Sequence, residues 1–367
     1  MTNANEDGTI RITPGNVAGI GANPSVAPAA VRHQYPLAVR DASLGVAVSL
    51  LMRTLPYALA RFGIMLAATV LTIIWIVIVF GGAAFLGTHI AHVFGWLWFI
   101  LCIVGTGFFW SGVLRYLLQL VAAGHTAVLT ELITRGAVGN GTEGMFAYGV
   151  RVVRARFLEI NLLYVMKGLV RGVIAAFHRT LDFIADLLPV PGLDSLARLI
   201  DIVLRAATRY LDDVILSYSL ARGDNPWTCA REGLVYYAQN AKPILKTAVR
   251  IAILERVLTV VMWLILLAPA GLITVMLPAS AREMGGLVTI IIAVLLAGSV
   301  RAAFVKPLFL IVIMVRYHAL IENQPIRAEW DARLTEISDK FRELGERAAT
   351  ALAPGVAAQW ARPGAPA

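Results

Sequence analysis

From Phe62 to Leu114 the chain runs 53 residues without an Asp, Glu, Lys or Arg. An apolar helix needs about 20 residues to cross a bilayer, so this run has room for two spans. The stretch Gly87 to Gly95, with His89 and His92, supplies the turn between them. A second pair follows, in which Val257 to Leu277 is uncharged, Pro278 to Gly286 forms a short polar turn and Leu287 to about Val315 returns. The chain is 58% hydrophobic and 15% charged, with a mean hydropathy of +0.73, whereas soluble domains are about a quarter charged. Span counting therefore replaces domain counting.

A net charge of +9 raises the question of nucleic acid, and the placement of the cations answers it. Of the 32 basic residues, 28 fall in 1–61, 124–256 and 316–367, which two hairpins would leave on one side of a membrane. Basic residues mark the cytoplasmic side, so both termini and the middle are expected there, in a multi-pass protein of the cytoplasmic membrane. Arg115, Arg301 and Lys306 lie in the later halves of returning spans, where a long side chain can snorkel toward the inner face. The expected partner is the lipid bilayer, not nucleic acid, and the oligomeric state is left open. No short apolar segment with a cleavage site precedes residue 44, so no removable signal peptide is expected.

The expected fold class is an all-α integral membrane protein, two transmembrane helical hairpins flanking a cytoplasmic-side region of amphipathic helices. Residues 1–38, rich in Gly, Ala, Pro, Asn and Thr, read as a disordered cytoplasmic tail. Residues 39–123 hold an interfacial helix, from Ala42 to Leu59, and the first hairpin. Residues 124–250 form the amphipathic region, 251–317 the second hairpin, 318–350 a cytoplasmic amphipathic helix from Glu329 to Ala349, and 351–367 a disordered tail. Within the middle region, Lys167, Arg171, His178, Asp182 and Asp186 share one face of a helix over Leu162–Leu188, for which partial insertion is the preferred placement. Pro189-Val-Pro-Gly192 ends that helix, and Asp194 or Ser195 is positioned to cap the next, where Arg198, Asp201, Arg205, Arg209 and Asp212 repeat the stripe. A break at Gly223-Asp-Asn-Pro226, capped by Asn225 or Asp224, opens a third helix to Arg250 that Pro243 should kink. These helices would lie flat on the inner leaflet or pack stripe to stripe between the hairpins. Gly112-Val-Leu-Arg115 echoes Gly298-Ser-Val-Arg301, as a parallel duplication of the hairpins would.

No catalytic template is present, neither HExxH, GxSxG, GxxxxGK[ST] nor a dinucleotide fingerprint, so neither an enzyme nor a cofactor is expected. Cys102 and Cys229 are too far apart for a CxxC or zinc site, and His89 with His92 makes two ligands without a third, so no metal is expected either. His125 and Glu131 stand six apart, off a common helical face, which favours hydrogen bonding over acid–base chemistry. Asp212-Asp213, between Tyr210 and Tyr218 in an apolar stretch, is the acidic pair most suited to attract a cation or relay a proton. The structural alternative pairs Asp212 with Arg209 or Arg205. Trp110, after Phe108 and Phe109, and Tyr236, before Tyr237, are candidates for an aromatic cage around a quaternary ammonium group, against the plainer role of packing anchors.

One stretch, Tyr210 to Val257, resembles the choline transporter-like family. The matching features are Cys229-Ala-Arg-Glu232, then Asn240, then Ile253-Leu-Glu-Arg-Val257, with His92-Val-Phe-Gly-Trp-Leu-Trp98 upstream. The resemblance covers residues 92–257, and this chain departs from the family in having fewer spans and very short external turns. It implies a transporter-like protein for choline or another small organic cation, with Asp212, Asp213, Tyr236 and Trp110 as substrate-binding candidates from their local chemistry. The rival is a membrane scaffold or complex subunit that transports nothing.

Overall fold

The computed structural model describes residues 35–139, 141, 143–180 and 193–351, all of whose regular elements are helical. Residues 1–34, Pro189 to Gly192 and the stripe positions Asp182 and Asp186 lie outside the described residues, as does the expected tail beyond Ala351. The side chains of Asp194 and Ser195, offered as caps, lie outside them too.

Helix α1 (Leu44–Arg53) starts at Ser43, whose hydroxyl accepts from the Val46 N–H, and stops at Thr54. Thr54 turns its hydroxyl back onto the Leu50 carbonyl, and Pro56 then fits the first turn of α2 (Leu55–His89), where its missing N–H costs nothing. After Ile90 and Ala91 the chain reverses into α3 (His92–Phe108), continued by a π-helical segment (Phe109–Leu114) and α4 (Arg115–Arg135). The two arms run antiparallel at close range. A Cβ on Gly95 would stand 2.6 Å from the Ala83 carbonyl oxygen, and the Trp75 indole donates to Thr106 Oγ1 at 2.8 Å.

Short α5 (Met145–Ala155) leads into α6 (Phe157–His178), and α7 (Leu193–Arg222) precedes α8 (Pro226–Gln239). Asn225 is the cap of α8, accepting from the Trp227 N–H at 2.9 Å. The third amphipathic helix does not bend at Pro243. It breaks at Asn240, and Pro243 lies in the first turn of α9 (Ala241–Met276), where the helix loses no hydrogen bond. A turn at Leu277 and Pro278 leads to α10 (Ala279–Val300), a second π-helical segment (Arg301–Val305) and α11 (Lys306–Ile321). Pro307 follows that segment and has no N–H to offer the Ala303 carbonyl. The expected single helix from Glu329 to Ala349 is two, α12 (Ala328–Ile337) and α13 (Asp339–Ala351), parted at Ser338.

Among the described residues, five helical segments are long and apolar enough to cross a membrane: Leu55–His89, His92–Arg135, Phe157–His178, Ala241–Met276 and Gly285–Ile321. Four correspond to the expected arms, and the third overlaps Leu162–Leu188, the stretch expected to insert in part, whose residues from 181 on lie outside the described residues. The expected divisions at 123/124 and 250/251 fall inside unbroken helices, α4 and α9. The charged residues near those divisions are met in different ways: Glu131 pairs with Arg135 on its own helix, while Glu255 binds Arg209 and Arg301 on neighbouring elements.

The core lies where α4, α7, α8 and α11 meet. Leu129, Leu132, Ile133, Val214, Tyr236, Leu245 and Phe309 have no exposed surface. Several polar groups inside it are matched: Thr130 to Ser217, Ser217 to His318 Nε2 and Tyr35 to His318 Nδ1, each at 2.8 Å. Residues 35–39 are not part of a tail. Leu37 is buried and the Ala38 and Val39 N–H groups donate to the Ile133 carbonyl at the end of α4. Nor do α12 and α13 stand free, because Phe341 and Leu344 are fully buried and Arg231 of α8 forms an ion pair with Asp331 at 2.8 Å.

Both echoed tetrapeptides adjoin a π-helical segment, at opposite ends. Gly112-Val-Leu-Arg115 closes the first π-helical segment and Gly298-Ser-Val-Arg301 opens the second. Thr54 and Asn240, each 58 residues before the corresponding glycine, share nearly the same bend, at φ −100°, ψ 19° and φ −111°, ψ 22°.

Candidate functional site

Helix α7 carries Arg209, Tyr210, Asp212 and Asp213 into a ring of charged side chains from α2, α6, α9 and the second π-helical segment. Asp212 is buried, and its carboxylate accepts from Arg171 of α6 at 2.8 Å. The expected partner, Arg209 or Arg205, is therefore corrected. Arg209 points across to Glu255 of α9, donating to both carboxylate oxygens at 2.7 and 2.9 Å. Two side chains three apart on one helix can meet, but here each is bonded to an opposite charge on a neighbouring helix.

Glu255 is the hub. Besides Arg209 it accepts from Arg301 at 2.7 Å and from the Tyr210 hydroxyl at 3.2 Å, with its own side chain 4% exposed. Arg301, expected to snorkel, is turned inward onto this carboxylate. Three elements, α7, α9 and the second π-helical segment, are thus pinned by one acid. Sequence reasoning missed it because the uncharged span was counted from Val257. The available signal was an acid 15 residues into what is one continuous helix.

The stripe on α6 faces its neighbours. Lys167 donates to Gln119 of α4 at 2.9 Å, Arg171 reaches Asp212, and His178 pairs with the Tyr237 hydroxyl at 2.8 Å. The α6 and α7 stripes therefore meet in the Arg171–Asp212 pair. Burial raises the carboxyl of Asp212 above its ordinary value, against the pull of Arg171 and Lys167. Burial likewise raises Asp213, opposed by the positive field of Lys167, Arg61, Lys306 and Arg171. One oxygen of Asp212, Oδ1, is buried without a hydrogen-bond partner among the described residues. Around three carboxylates stand six cations, Arg61, Lys167, Arg171, Arg209, Arg301 and Lys306, so the neighbourhood is positive on balance.

Trp110 and Tyr236 lie in different surroundings. Trp110 is half-buried and lines a cavity of about 380 Å³ with Trp75, Thr106, Phe109 and Leu71, between the arms of the first pair. Tyr236 is wholly enclosed by the core, edge-on to Tyr218, its hydroxyl donating to the Gln324 carbonyl at 2.9 Å. Neither ring opens onto Asp212, and Tyr237 is engaged with His178. The other candidates are equally occupied. His125 bonds Thr54 at 2.9 Å and stacks on Tyr57, Glu131 pairs with Arg135 one turn away, and His89 bonds Thr88 and the Phe85 carbonyl. Burial pushes the Cys229 thiol up to about 12, which makes it a poor nucleophile at neutral pH. Compared with known proteins, the chain matches no family model, no curated protein and no solved structure.

Proposed function

We propose that this chain is a non-enzymatic, polytopic membrane protein that serves as a scaffold or complex subunit. The two antiparallel pairs cross the bilayer as hairpins, and both termini and the ends of α5 to α8 lie on the cytoplasmic side, where the basic residues concentrate. One observation carries the choice between scaffold and transporter. Of the three acids in the cluster, Asp212 and Glu255 are committed to arginines and Asp213 sits in the field of four cations, so the neighbourhood is positive on balance. A buried carboxylate bonded to two guanidinium groups holds helices together, and a charge taken from such a pair leaves the other uncompensated. An arriving organic cation would meet a neighbourhood that is positive on balance.

Transport of choline or another small organic cation is the second reading. It is favoured by the unpartnered Oδ1 of Asp212 and by the resemblance over residues 92–257. Uptake of radiolabelled choline into proteoliposomes separates the two. The scaffold reading expects no uptake above protein-free vesicles, and uptake that Asp212→Asn abolishes, with the fold intact, would overturn it.

A further inference from the structure

At the N-terminal end of α9 a cavity of about 990 Å³ opens between α1, α9 and α11. This is the upper end of the range of small-molecule sites, roughly 300 to 1,000 Å³. Lys242, Lys246 and Arg250 line it at intervals of four, which places them on one face of α9, and Arg316 closes it from α11. Among the described residues none of these four cations has an ion-pair or hydrogen-bond partner, and Arg316 Nε is buried without one. The one acid in the lining, Asp41, is hydrogen bonded to the N–H and hydroxyl of Ser43, and its single negative charge leaves the four cations in surplus. The rest of the wall includes Leu44, Ile251, Leu254 and Val312. Along α9 the exposed surface then turns apolar, with Ile253 63% and Val257 53% exposed.

We propose that this cavity seats the phosphate-bearing headgroup of an anionic phospholipid, with the acyl chains running down the apolar face of α9. Unneutralised cations between membrane helices on the cytoplasmic side are the chemistry that recognises such headgroups. A wall that passes from basic to lipid-facing within one helix distinguishes a lipid from a soluble phosphate compound, which would leave the apolar half unfilled. The proposal rests on the membrane reading of α9 given above.

The test uses the full chain in detergent, titrated with phosphatidylglycerol and, separately, phosphatidylcholine, with bound lipid counted by native mass spectrometry. The phosphatidylglycerol complex should be the tighter. The double variant Lys246→Gln, Arg250→Gln, at exposed positions that should not disturb folding, should weaken it on the order of thirtyfold. The matched pair Arg342→Gln, Arg347→Gln on α13 should leave it unchanged, and equal losses from both pairs would overturn the cavity as the site. Displacement of the lipid by an equal concentration of glycerol 3-phosphate would overturn the lipid in favour of a soluble phosphate. Carbonate extraction of native membranes keeps the two readings apart. A chain that resists extraction yet shows no preference for phosphatidylglycerol overturns this proposal alone, whereas a chain that carbonate releases overturns the membrane reading and this proposal with it.

Discussion

The far ends of α2, α3, α9 and α10 and the core around α4, α7 and α11 are built from the same kinds of residue and treat them in opposite ways. Val77, Trp96, Phe108, Leu264 and Met276 are each about two-thirds exposed or more, while Leu129, Ile133, Val214 and Phe309 are fully enclosed. A water-soluble protein does not leave so large an apolar surface bare, because contiguous patches of that kind mark contact with lipid or a partner. Hydropathy is therefore shared by both regions and separates neither. What separates them is the polar company. Thr130, Ser217, His318 and Glu255 stand among the enclosed residues and every one is hydrogen bonded to another helix, whereas the far ends carry little that needs a partner.

The comparison breaks most readily at Leu129. Replacing it by alanine should cost about 2 to 5 kcal/mol, since the surrounding side chains cannot collapse into the space. Thermal unfolding in detergent, followed by fluorescence, would show this as a lower Tm, and an unchanged Tm would mean that the enclosed region is not the stability core.

A smaller effect of opposite sign is expected at Asp213. Its carboxyl is raised in the folded protein, so the folded state binds more protons than the unfolded one as pH rises from the ordinary carboxylate value through the raised one. Stability should fall across that window. Asp213→Asn should raise Tm at pH 8 and make no difference at pH values below the ordinary carboxylate range. A variant less stable than the parent at pH 8 would show that the four surrounding cations outweigh the burial.

The smallest effect belongs to Leu264→Ala on the bare face of α9. Lipid or detergent fills the vacated space, so the change should stay within about 0.5 kcal/mol. A loss as large as that at Leu129 would mean that another protein chain covers this face.

The apolar runs were legible as helices of membrane length because their signal is cumulative, and one misplaced residue does not hide it. So was the cap at Asn225, which depends only on the three residues around it. The facing of the α6 and α7 stripes was visible as periodicity, yet the pairing across them was not. Arg171 with Asp212 and Arg209 with Glu255 join residues 41 and 46 positions apart, and a charge on one helix face does not name the opposite charge it will meet. Tyr236 shows the same limit from the other side, as an aromatic suited to a ligand cage that is closed off by Tyr218 and a backbone carbonyl.

Sequence alone thus determined which segments must leave water and which end of each carries positive charge, because transfer free energy and the positive-inside bias are sums over local residues. Only the tertiary structure decided that Glu255 ties three elements together, that residues 35–39 pack against the core, and that four cations around the start of α9 have no partner among the described residues. Each of those depends on which helices become neighbours, and that is settled by how side chains far apart in the chain fit and neutralise one another.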